Sequence, residues 1–297
     1  MYDIIIIGGG PAGLTAATYA GRAGKSVLVI EKNTFGGQIT WSPRVENFPG
    51  TVSISGTELG DKLLEQAMAQ GAEVELDEVC AVSADGEVKT VRCVSGAEFQ
   101  AGSLIIAVGA KPRMLGLPRE EELIGSGVCY CAVCDGAFYA GQTVAVAGGG
   151  NSALQDAMLL SEKCEKVYLI HRRADFRGEA KLVEALKAKE NVEFVLEARI
   201  AELLGTDELT GIVVEQQGQQ RQIPLAGLFV AIGHAPDNGV FAHLMELDAA
   251  GYADADESCR TKTPGVFVAG DCRKKQVRQL TTAVADGAVA ALSAAAK

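Results

Sequence analysis

The chain has 297 residues, 48% hydrophobic and 22% charged, which is typical of a globular protein with room for about two domains. Its net charge of −11 gives no electrostatic basis for holding a nucleic-acid backbone, so we expect no nucleic-acid partner. No apolar run approaches the ~20 residues of a membrane span, and the N-terminus lacks a basic, signal-like segment. We therefore predict a cytoplasmic protein without a membrane contact.

The chain begins with a strand–turn–helix pattern that returns in its middle. The strand-like run Asp3 to Ile7 leads into the turn 8–13, and the run from Thr143 to Ala147 leads into the turn 148–153. Glycines in such turns allow a tight bend and a close approach to a pyrophosphate, which the following helix N-terminus faces. Because both turns lie between a predicted strand and a predicted helix, they indicate two dinucleotide sites. The predicted binding residues are Gly8, Gly10, Pro11, Ala12, Gly13, Gly148, Gly150, Asn151, Ser152 and Ala153.

Later turns indicate that one supersecondary unit is used twice. Gly109 and Gly233 each follow a closing strand, and each closing strand is preceded by short alternating runs typical of a small β-meander. The chain then returns to a third such strand that ends at Gly270, so we predict that the second unit is inserted into the first. The fold class is α/β, with two Rossmann-like dinucleotide-binding domains of βαβ and β-meander type. The predicted boundaries are 1–112 with 239–297 for the first domain and 113–238 for the second.

The residue after the second strand of each unit indicates which dinucleotide that unit binds. Glu31 can accept hydrogen bonds from a ribose 2′-hydroxyl and would repel a 2′-phosphate. The equivalent position of the second unit carries Arg172 and Arg173, with Arg177 four residues further on, and guanidinium groups suit a phosphate dianion. We therefore predict NADPH in the domain 113–238 and a different dinucleotide, for which FAD is the natural candidate, in the first domain.

Three of the eight cysteines, Cys129, Cys131 and Cys134, cluster before the second Gly-rich turn. A structural zinc site needs four ligands, and the chain has no second cysteine pair or paired histidines, so we predict no metal. The spacing of Cys131 and Cys134 instead favours a redox dithiol. Asp135 is a candidate proton donor and acceptor, or only a turn or helix cap. Cys129 is either a buried small residue or a spare thiol. Since a flavin can link a hydride donor to a disulfide, the three sites predict electron transfer from NADPH through FAD to the dithiol.

Together and in order, these motifs resemble those of the low-molecular-weight thioredoxin reductases, nearly from end to end. The resemblance implies a homodimeric, NADPH-dependent thioredoxin-disulfide reductase. It implies that Cys134 faces the flavin and that Cys131 attacks the disulfide of thioredoxin. It also implies that Asp271 binds the ribityl–phosphate portion of FAD and that Gln279 lies beside the flavin ring. Further cofactor-binding residues, predicted from the paired turns or implied by the resemblance, are Gly36, Gly37, Gln38, Asn47, Gly109, His171, Gly233, Gly270, Arg278 and Leu280.

The order of the motifs places the dithiol and the NADPH site in the same inserted domain, although both must reach one flavin. The family solves this by rotating that domain about its two connections, here near 112–115 and 236–239, and we carry the rotation over as a hypothesis. We predict a last helix from Val277 to Ala296, whose N-terminal end would present a positive dipole to the reduced flavin. The chain departs from the family at Cys129, where Ser or another small residue is usual.

The same residues allow other interpretations of the function. Relatives that accept electrons from ferredoxin tend to lose the second Gly-rich turn and the arginine cluster, which this chain keeps. A flavin disulfide reductase that serves a peroxiredoxin system is the closest enzymatic alternative. From another class, a zinc-binding or iron–sulfur electron carrier could use the three clustered cysteines with a distant fourth such as Cys164.

Overall fold

The isoleucine run near the N-terminus is the first strand of the protein, whose computed structural model describes residues 1–84 and 86–296. Its side chains from Ile4 to Ile7 are almost inaccessible to solvent, as expected for a parallel strand covered on both faces. From the N-terminus to residue 112 the elements are β1 (Tyr2–Ile7), α1 (Pro11–Arg22), β2 (Val27–Glu31), a 3₁₀ turn (Gly37–Trp41), α2 (Gly56–Ala69), β3 (Glu73–Leu76), β4 (Val79–Ser83), β5 (Lys89–Cys93), β6 (Glu98–Ile106) and β7 (Ala110–Pro112).

The inserted segment and the return of the chain supply the remaining elements. The inserted segment contains β8 (Val128–Cys129), α3 (Ala132–Asp135), a 3₁₀ turn (Gly136–Tyr139), β9 (Thr143–Ala147), α4 (Asn151–Ser161), β10 (Lys166–His171), α5 (Ala180–Lys187), β11 (Val192–Leu196), β12 (Ala198–Leu204), β13 (Gly211–Gln216), β14 (Gln219–Pro224), β15 (Gly227–Val230) and β16 (His234–Pro236). The returning segment contains 3₁₀ turns (Gly239–Leu244 and Gly270–Cys272), β17 (Glu246–Leu247), β18 (Ala253–Asp254), β19 (Val266–Val268) and α6 (Leu280–Ala295).

The chain divides into two units, and the second is inserted into the first. Unit 1 comprises Met1–Lys111 with Ala235–Lys297, and unit 2 comprises Pro112–His234. The chain returns to unit 1 at Ala235, earlier than the predicted boundary at residue 239. The reason is that the residues just beyond Ala235 are anchored in unit 1. Asn238 is buried there, and its side-chain amide donates to the carbonyl oxygens of Gly251 (2.9 Å) and Cys272 (3.0 Å).

The topology of unit 1 brings several loops to one edge of its main sheet. The strand order is β3-β2-β1-β6-β5-β4, and β19 also pairs with β6. β1, β2, β3, β6 and β19 run parallel, whereas β5 and β4 continue from β6 as an antiparallel meander. The carboxyl ends of parallel strands lie at one edge, where ligands bind in open α/β sheets. The turns after β1, β2, β6 and β19 therefore meet there.

The predicted last helix forms, but it begins later than predicted. α6 starts at Leu280 instead of Val277, because Gln279 is its N-cap. The Gln279 side chain accepts from the backbone of Thr282, and the Thr282 hydroxyl in turn accepts from the backbone N–H of Gln279 (3.0 Å), which fixes the start of the helix. Further along α6, a Cβ on Gly287 would collide with the carbonyl oxygen of Ala12, so this glycine lets α6 lie against α1.

Unit 2 repeats the plan of unit 1. Its sheet has the order β11-β10-β9-β15-β8, and every pairing in it is parallel. β12, β13 and β14 form a separate antiparallel meander. The loops after β8, β9, β10 and β15 therefore share one edge of this sheet. The observed architecture confirms the predicted α/β class with two Rossmann-like units. Within residues 1–84 and 86–296, no helix has the length and apolarity to cross a membrane.

Candidate functional site

The first Gly-rich turn joins β1 to α1, and its glycines serve different purposes. A Cβ on Gly8 would meet the carbonyl oxygen of Ala107, and one on Gly13 would meet the carbonyl oxygen of Gly8, so the fold itself requires glycine at both positions. Gly10, the N-cap of α1, differs because an added Cβ would find only the Cα of Gly37, 4.0 Å away. The open space over Gly10 is what a pyrophosphate above the helix N-terminus needs.

Glu31, the last residue of β2, and the glycine turn at Gly36 and Gly37 are held beside the first Gly-rich turn. The Glu31 carboxylate accepts from the backbone N–H of Gly9 (2.7 Å) and of Asn33 (2.9 Å), which holds it at the end of the strand. The N–H of Gly36 donates to the carbonyl oxygen of Gly9 (2.8 Å). Since Gly36 and Gly37 have φ of 97° and 60°, both adopt the left-handed conformation that favours glycine. Pro11 and Ala12 open α1.

The segment before α6 joins the other predicted residues of unit 1. The Asn47 side-chain amide lies 3.5 Å from Oε1 of Gln279, and the Gln38 amide donates to the carbonyl oxygen of Ala110 (3.0 Å). Gly109, with φ of 68°, precedes that carbonyl. The Arg278 guanidinium donates to the carbonyl oxygen of Asp271 (3.2 Å) and lies 3.9 Å from the ring centre of Tyr252. Leu280 is the first residue of α6.

Asp271 is the acidic residue of this segment that has an unpartnered carboxylate oxygen. Its Oδ1 is buried and has no hydrogen-bond partner among the described residues, and burial raises the pKa of its carboxyl. Asp286, on α6, is instead surrounded by donors. It accepts from the backbone N–H of Gly270 (3.0 Å) and pairs with Arg273 (3.0 Å) and Lys275 (2.6 Å). The network around Asp286 fixes the backbone that carries Asp271.

The second Gly-rich turn repeats the division of roles. A Cβ on Gly148 would meet the carbonyl oxygen of Ala231 and would lie 2.7 Å from the Cβ of Ala153, which is fully buried. Around Gly150, the N-cap of α4, nothing lies within 4 Å of an added Cβ. Asn151 accepts from the backbone N–H of Glu179 (2.7 Å). Ser152 is exposed on the first turn of α4.

The arginine cluster follows β10 at the same edge of the sheet. Arg172, Arg173 and Arg177 are exposed, and none of their guanidinium groups forms an ion pair among the described residues. The backbone N–H of Arg177 donates to the carbonyl oxygen of Gly149 (2.8 Å), which ties this loop to the glycine turn. His171 is buried and stacks on Phe176 with 5.2 Å between ring centres. Burial lowers the pKa of His171, and the neighbouring arginines act in the same direction.

The predicted cysteine pair forms a disulfide directly after β8. Cys131 is the N-cap of α3, its Cα lies 5.3 Å from that of Cys134, and their sulfur atoms are bonded. Asp135 ends α3, and burial raises the pKa of its carboxyl to about 6. Cys129 is buried, with its Sγ 3.3 Å from the hydroxyl of Tyr139, and burial raises the pKa of its thiol to about 12. Among residues 1–84 and 86–296, no group of three or more His, Cys, Asp or Glu side chains could hold a metal ion.

Comparison with known proteins places the chain in a family. Residues 2–287 match the pyridine nucleotide-disulphide oxidoreductase family. The thioredoxin reductase of Listeria monocytogenes is 41% identical over 297 residues, which are 99% of this chain and 93% of that protein. The chain belongs to the thioredoxin reductases of this family. The thioredoxin reductase of Bacillus subtilis is 40% identical over 296 residues, with the same coverage of both chains.

Solved structures give the same result. The crystal structure of thioredoxin reductase from Streptococcus pyogenes matches with a TM-score of 0.94 and 39% identity, over 99% of this chain and 97% of that chain. Lactococcus lactis thioredoxin reductase, crystallised in the conformation named FR, matches with a TM-score of 0.69 and 37% identity over 99% and 98% of the two chains. The predicted family and the predicted cofactors, FAD and NADPH, are confirmed.

Both nucleotide sites of this thioredoxin reductase fit their cofactors. In unit 1 the space over Gly10 and the unpartnered, buried Oδ1 of Asp271 suit the pyrophosphate and a hydroxyl donor of FAD. In unit 2 the space over Gly150 and the three unpaired arginines suit the pyrophosphate and 2′-phosphate of NADPH.

Three residues that support the candidate site were not predicted from the sequence. Asp286 was visible only as an acidic residue in an Ala-rich helix. Glu120 is 1% exposed, accepts from the backbone N–H groups of Leu115 (2.9 Å) and Gly116 (2.8 Å), and receives the Tyr130 hydroxyl (2.9 Å). It thereby ties Leu115 and Gly116, near the start of unit 2, to Tyr130, the residue before Cys131. Tyr139 contacts Cys129, ten positions away, and no local pattern marks that contact.

Proposed function

We propose that this chain catalyses the reduction of a disulfide in thioredoxin by NADPH, with FAD held by unit 1 and NADPH by unit 2. The observation that carries the proposal is the position of the Cys131–Cys134 disulfide. It follows β8, at the same edge of the unit 2 sheet as the glycine turn after β9 and the arginines after β10. These positions support the proposal that a nicotinamide site and a redox disulfide belong to one unit.

We assign the FAD to residues at the carboxyl edge of unit 1. The turn from Gly8 to Gly13 and the N-terminus of α1 would hold the pyrophosphate, and Glu31 the ribose hydroxyls. Asp271 would accept a hydrogen bond from the ribityl–phosphate portion. The N-terminus of α6 would direct its positive dipole end at the flavin ring. The remaining FAD-facing residues in this proposal are Gly36, Gly37, Gln38, Asn47, Gly109, Gly270, Arg278, Gln279 and Leu280.

We assign NADPH to the matching edge of unit 2. The turn from Gly148 to Ala153 would hold its pyrophosphate, and the guanidinium groups of Arg172, Arg173 and Arg177 its 2′-phosphate. Buried His171 would support this loop, and Gly233 would let the backbone after β15 approach the cofactor. When both cofactors are bound, the flavin supplies the chemistry that converts the hydride of NADPH into two electrons for the disulfide.

The residues of the dithiol carry out the exchange with thioredoxin. In the reduced protein the Cys131 thiolate attacks one sulfur of the thioredoxin disulfide, and a mixed disulfide forms as the other thioredoxin sulfur leaves as a thiolate. Cys134 then attacks the sulfur of Cys131, which reforms the Cys131–Cys134 bond and releases the second thioredoxin sulfur. Asp135 is the adjacent group that can accept and return the proton of the Cys134 thiol.

The proposal includes three further features. Because the dithiol and the NADPH site belong to unit 2 while the flavin belongs to unit 1, we propose that unit 2 rotates between the two half-reactions. We also propose a homodimer and a cytoplasmic location, where thiols are kept reduced. A covalent crosslink between the connections near 112–115 and 236–239 would stop turnover and leave FAD bound if the rotation is required.

The empty space over Gly150 gives a specific prediction for the NADPH site. Gly150→Ala is expected to weaken NADPH binding by roughly 10- to 100-fold, because the added methyl group takes the place of the approaching pyrophosphate. The free energy of unfolding is expected to fall by less than about 1 kcal/mol, the usual range for an N-cap residue. Titration of NADPH by fluorescence and denaturant unfolding measure the two effects. Gly148→Ala is the matched comparison: it should mainly destabilise, since its Cβ meets the Ala231 carbonyl.

The proposed electron donor is tested by mixing the FAD-loaded protein with NADPH, and separately with NADH, in the absence of oxygen. Rapid bleaching of the flavin absorbance by NADPH, and much slower bleaching by NADH, is expected. Bleaching by neither nucleotide, together with bleaching by reduced ferredoxin, would replace NADPH by ferredoxin as the donor.

A further inference from the structure

A buried carboxylate holds the segment 115–117, near the start of unit 2. Glu120 is 1% exposed, and its two oxygens accept from three successive backbone N–H groups, those of Leu115 (2.9 Å), Gly116 (2.8 Å) and Leu117 (3.3 Å). The Tyr130 hydroxyl donates to the same carboxylate (2.9 Å). Four neutral donors therefore converge on one acceptor group that water does not reach. Such a cluster is rigid, because breaking one of its bonds leaves a buried polar group unsatisfied.

Side-chain packing and a second set of bonds keep this segment in place. Leu115 and Leu117 pack against the hydrophobic cluster that the main sheet of unit 2 shares with the meander β12–β14. Arg119 has a φ of 66°, which is uncommon outside glycine, and its guanidinium donates to the carbonyl oxygens of Gly205 and Thr206. The chain from Leu115 onward is therefore fixed within unit 2, and the proposed pivot before it ends at this residue.

Tyr130 extends this anchoring to the dithiol. β8 pairs with β15 through its two residues, so the hydrogen-bonded ladder ends just before Tyr130. The Tyr130 ring packs against the same hydrophobic cluster, and its hydroxyl is bonded to Glu120. Cys131 follows directly as the N-cap of α3, and its Sγ accepts from the backbone N–H of Cys134 (3.2 Å). The position of Tyr130 therefore sets where the helix that carries both sulfurs begins.

We propose that Glu120 is a positioning residue for the dithiol. Through the Tyr130 hydroxyl it fixes Cys131 to the segment 115–117, and so sets the position that the disulfide reaches when unit 2 rotates. This inference rests on the proposed function. The step that depends on this position is reduction of the Cys131–Cys134 bond: the bond breaks, and the two sulfurs gain the two electrons and two protons that the reduced flavin loses. Hydride transfer from NADPH involves neither sulfur and does not depend on Glu120.

Amide hydrogen exchange of the oxidised, FAD-loaded protein tests the anchoring without NADPH or thioredoxin. Tyr130→Phe removes the hydroxyl donor and keeps the ring. The backbone N–H of Cys134 is therefore expected to exchange roughly 10-fold faster. The N–H groups of Leu115 and Gly116 keep their bonds to Glu120 and should exchange as before.

Tyr168→Phe is the matched control for the loss of a tyrosine hydroxyl. Tyr168 packs against the same hydrophobic cluster as Tyr130, but among the described residues its hydroxyl has no bond to Glu120. The exchange of the Cys134 N–H should be the same in this variant as in the unmodified protein. An unchanged exchange of that N–H in Tyr130→Phe as well would overturn the inference.

The two electron-transfer steps are then followed separately by stopped-flow absorbance. The oxidised, FAD-loaded protein is mixed with one equivalent of NADPH without oxygen, so that bleaching of the flavin reports hydride transfer and recovery of its absorbance reports reduction of the disulfide. Tyr130→Phe is expected to slow the recovery by about 10-fold and to leave the bleaching unchanged, since a small displacement of reacting groups costs this much or more. Tyr168→Phe should change neither phase.

A combined variant shows whether the effect passes through the hydrogen bond. Glu120→Ala removes the acceptor and should slow the recovery at least as much as Tyr130→Phe. Adding Tyr130→Phe to it should then slow the recovery little further. Multiplied effects, an unchanged recovery in Tyr130→Phe, or equal slowing of bleaching and recovery each contradict the inference. If Glu120→Ala does not fold, the exchange and the recovery in Tyr130→Phe decide the question. If NADPH bleaches the flavin in no variant, the proposed function fails, and the exchange of the Cys134 N–H still decides whether Glu120 anchors the dithiol.

Discussion

Cys134→Ser is expected to lower NADPH-dependent reduction of thioredoxin by about 10⁴-fold or more, since a redox pair acts as a unit and one sulfur alone cannot alternate between a disulfide and a dithiol. The flavin should remain bound and should still be bleached by NADPH, because the residues that we assign to the two nucleotide sites lie outside the pair. In this variant Cys131 can still attack thioredoxin, but only the thioredoxin thiolate released in that step can reverse it. A covalent complex with thioredoxin should therefore be trapped when an alkylating agent blocks that thiolate, and be visible as a combined mass without reductant.

Two further variants separate the roles of the thiols. Cys131→Ser should lose activity to the same extent without trapping thioredoxin, because the attacking thiol is gone. Cys80→Ser is the control: Cys80 is an exposed free cysteine, and its loss should leave the rate unchanged. Trapping through Cys134 in the Cys131→Ser protein would reverse the assigned roles. Full activity of either single variant would exclude the pair as the redox centre.

The arginine cluster carries the second large effect. The double change Arg172→Ala with Arg173→Ala is expected to raise the KM for NADPH by about 10²- to 10³-fold, as each charge-assisted hydrogen bond to a phosphate contributes roughly 1.5–3 kcal/mol. The KM for NADH should change little, because NADH has no 2′-phosphate. Steady-state kinetics with both nucleotides, at low and at high salt, measure the effect. The preference for NADPH should shrink with ionic strength in the unmodified protein, since the arginines are exposed.

Arg221→Ala is the matched control for that loss of charge. Arg221 is also an exposed arginine of unit 2, but it lies on β14, where it pairs with Glu193 (3.0 Å). Its removal should leave the ratio of the two KM values unchanged. An equal loss for NADPH and NADH in the double variant would mean that the arginines act on the fold or on the shared part of the nucleotide, and not on the 2′-phosphate.

The sequence predicted the features that depend on local chemistry. The segments 8–13 and 148–153 join a strand to a helix as expected, because the strand and helix periodicities and the glycine spacing are local properties, although the helices already begin at Pro11 and Asn151. The pairing of Cys131 with Cys134 was predictable for the same reason, since three positions separate the two cysteines and they form the observed disulfide. Glu31 ends β2 and Arg172 directly follows β10, so the positions of these two residues of opposite charge were also predictable from the sequence.

The features that depend on tertiary packing were not predictable. α6 starts at Leu280 because Gln279 and Thr282 form a capping box. The residues from Val277 to Gln279 are compatible with a helix, so the sequence alone predicted an earlier start. The contact between Cys129 and Tyr139 exists because Gly227 on β15 makes room for the ring, and no periodic pattern encodes that space. Asp286 pairs with Arg273 and Lys275, whereas Oδ1 of Asp271 has no partner among the described residues. This difference depends on how the returning segment folds, which no local pattern encodes.

The central claim is electron transfer from NADPH to a disulfide of thioredoxin, and it is tested most directly by stoichiometry. The FAD-loaded protein is mixed with oxidised thioredoxin and limiting NADPH without oxygen, and the new thiols are counted. We expect two thioredoxin thiols for each NADPH oxidised, and no oxidation of NADPH when thioredoxin is omitted beyond the initial reduction of the enzyme. Oxidation of NADPH that requires oxygen and forms no thiols would contradict the account, and so would thiol formation that requires reduced ferredoxin in place of NADPH.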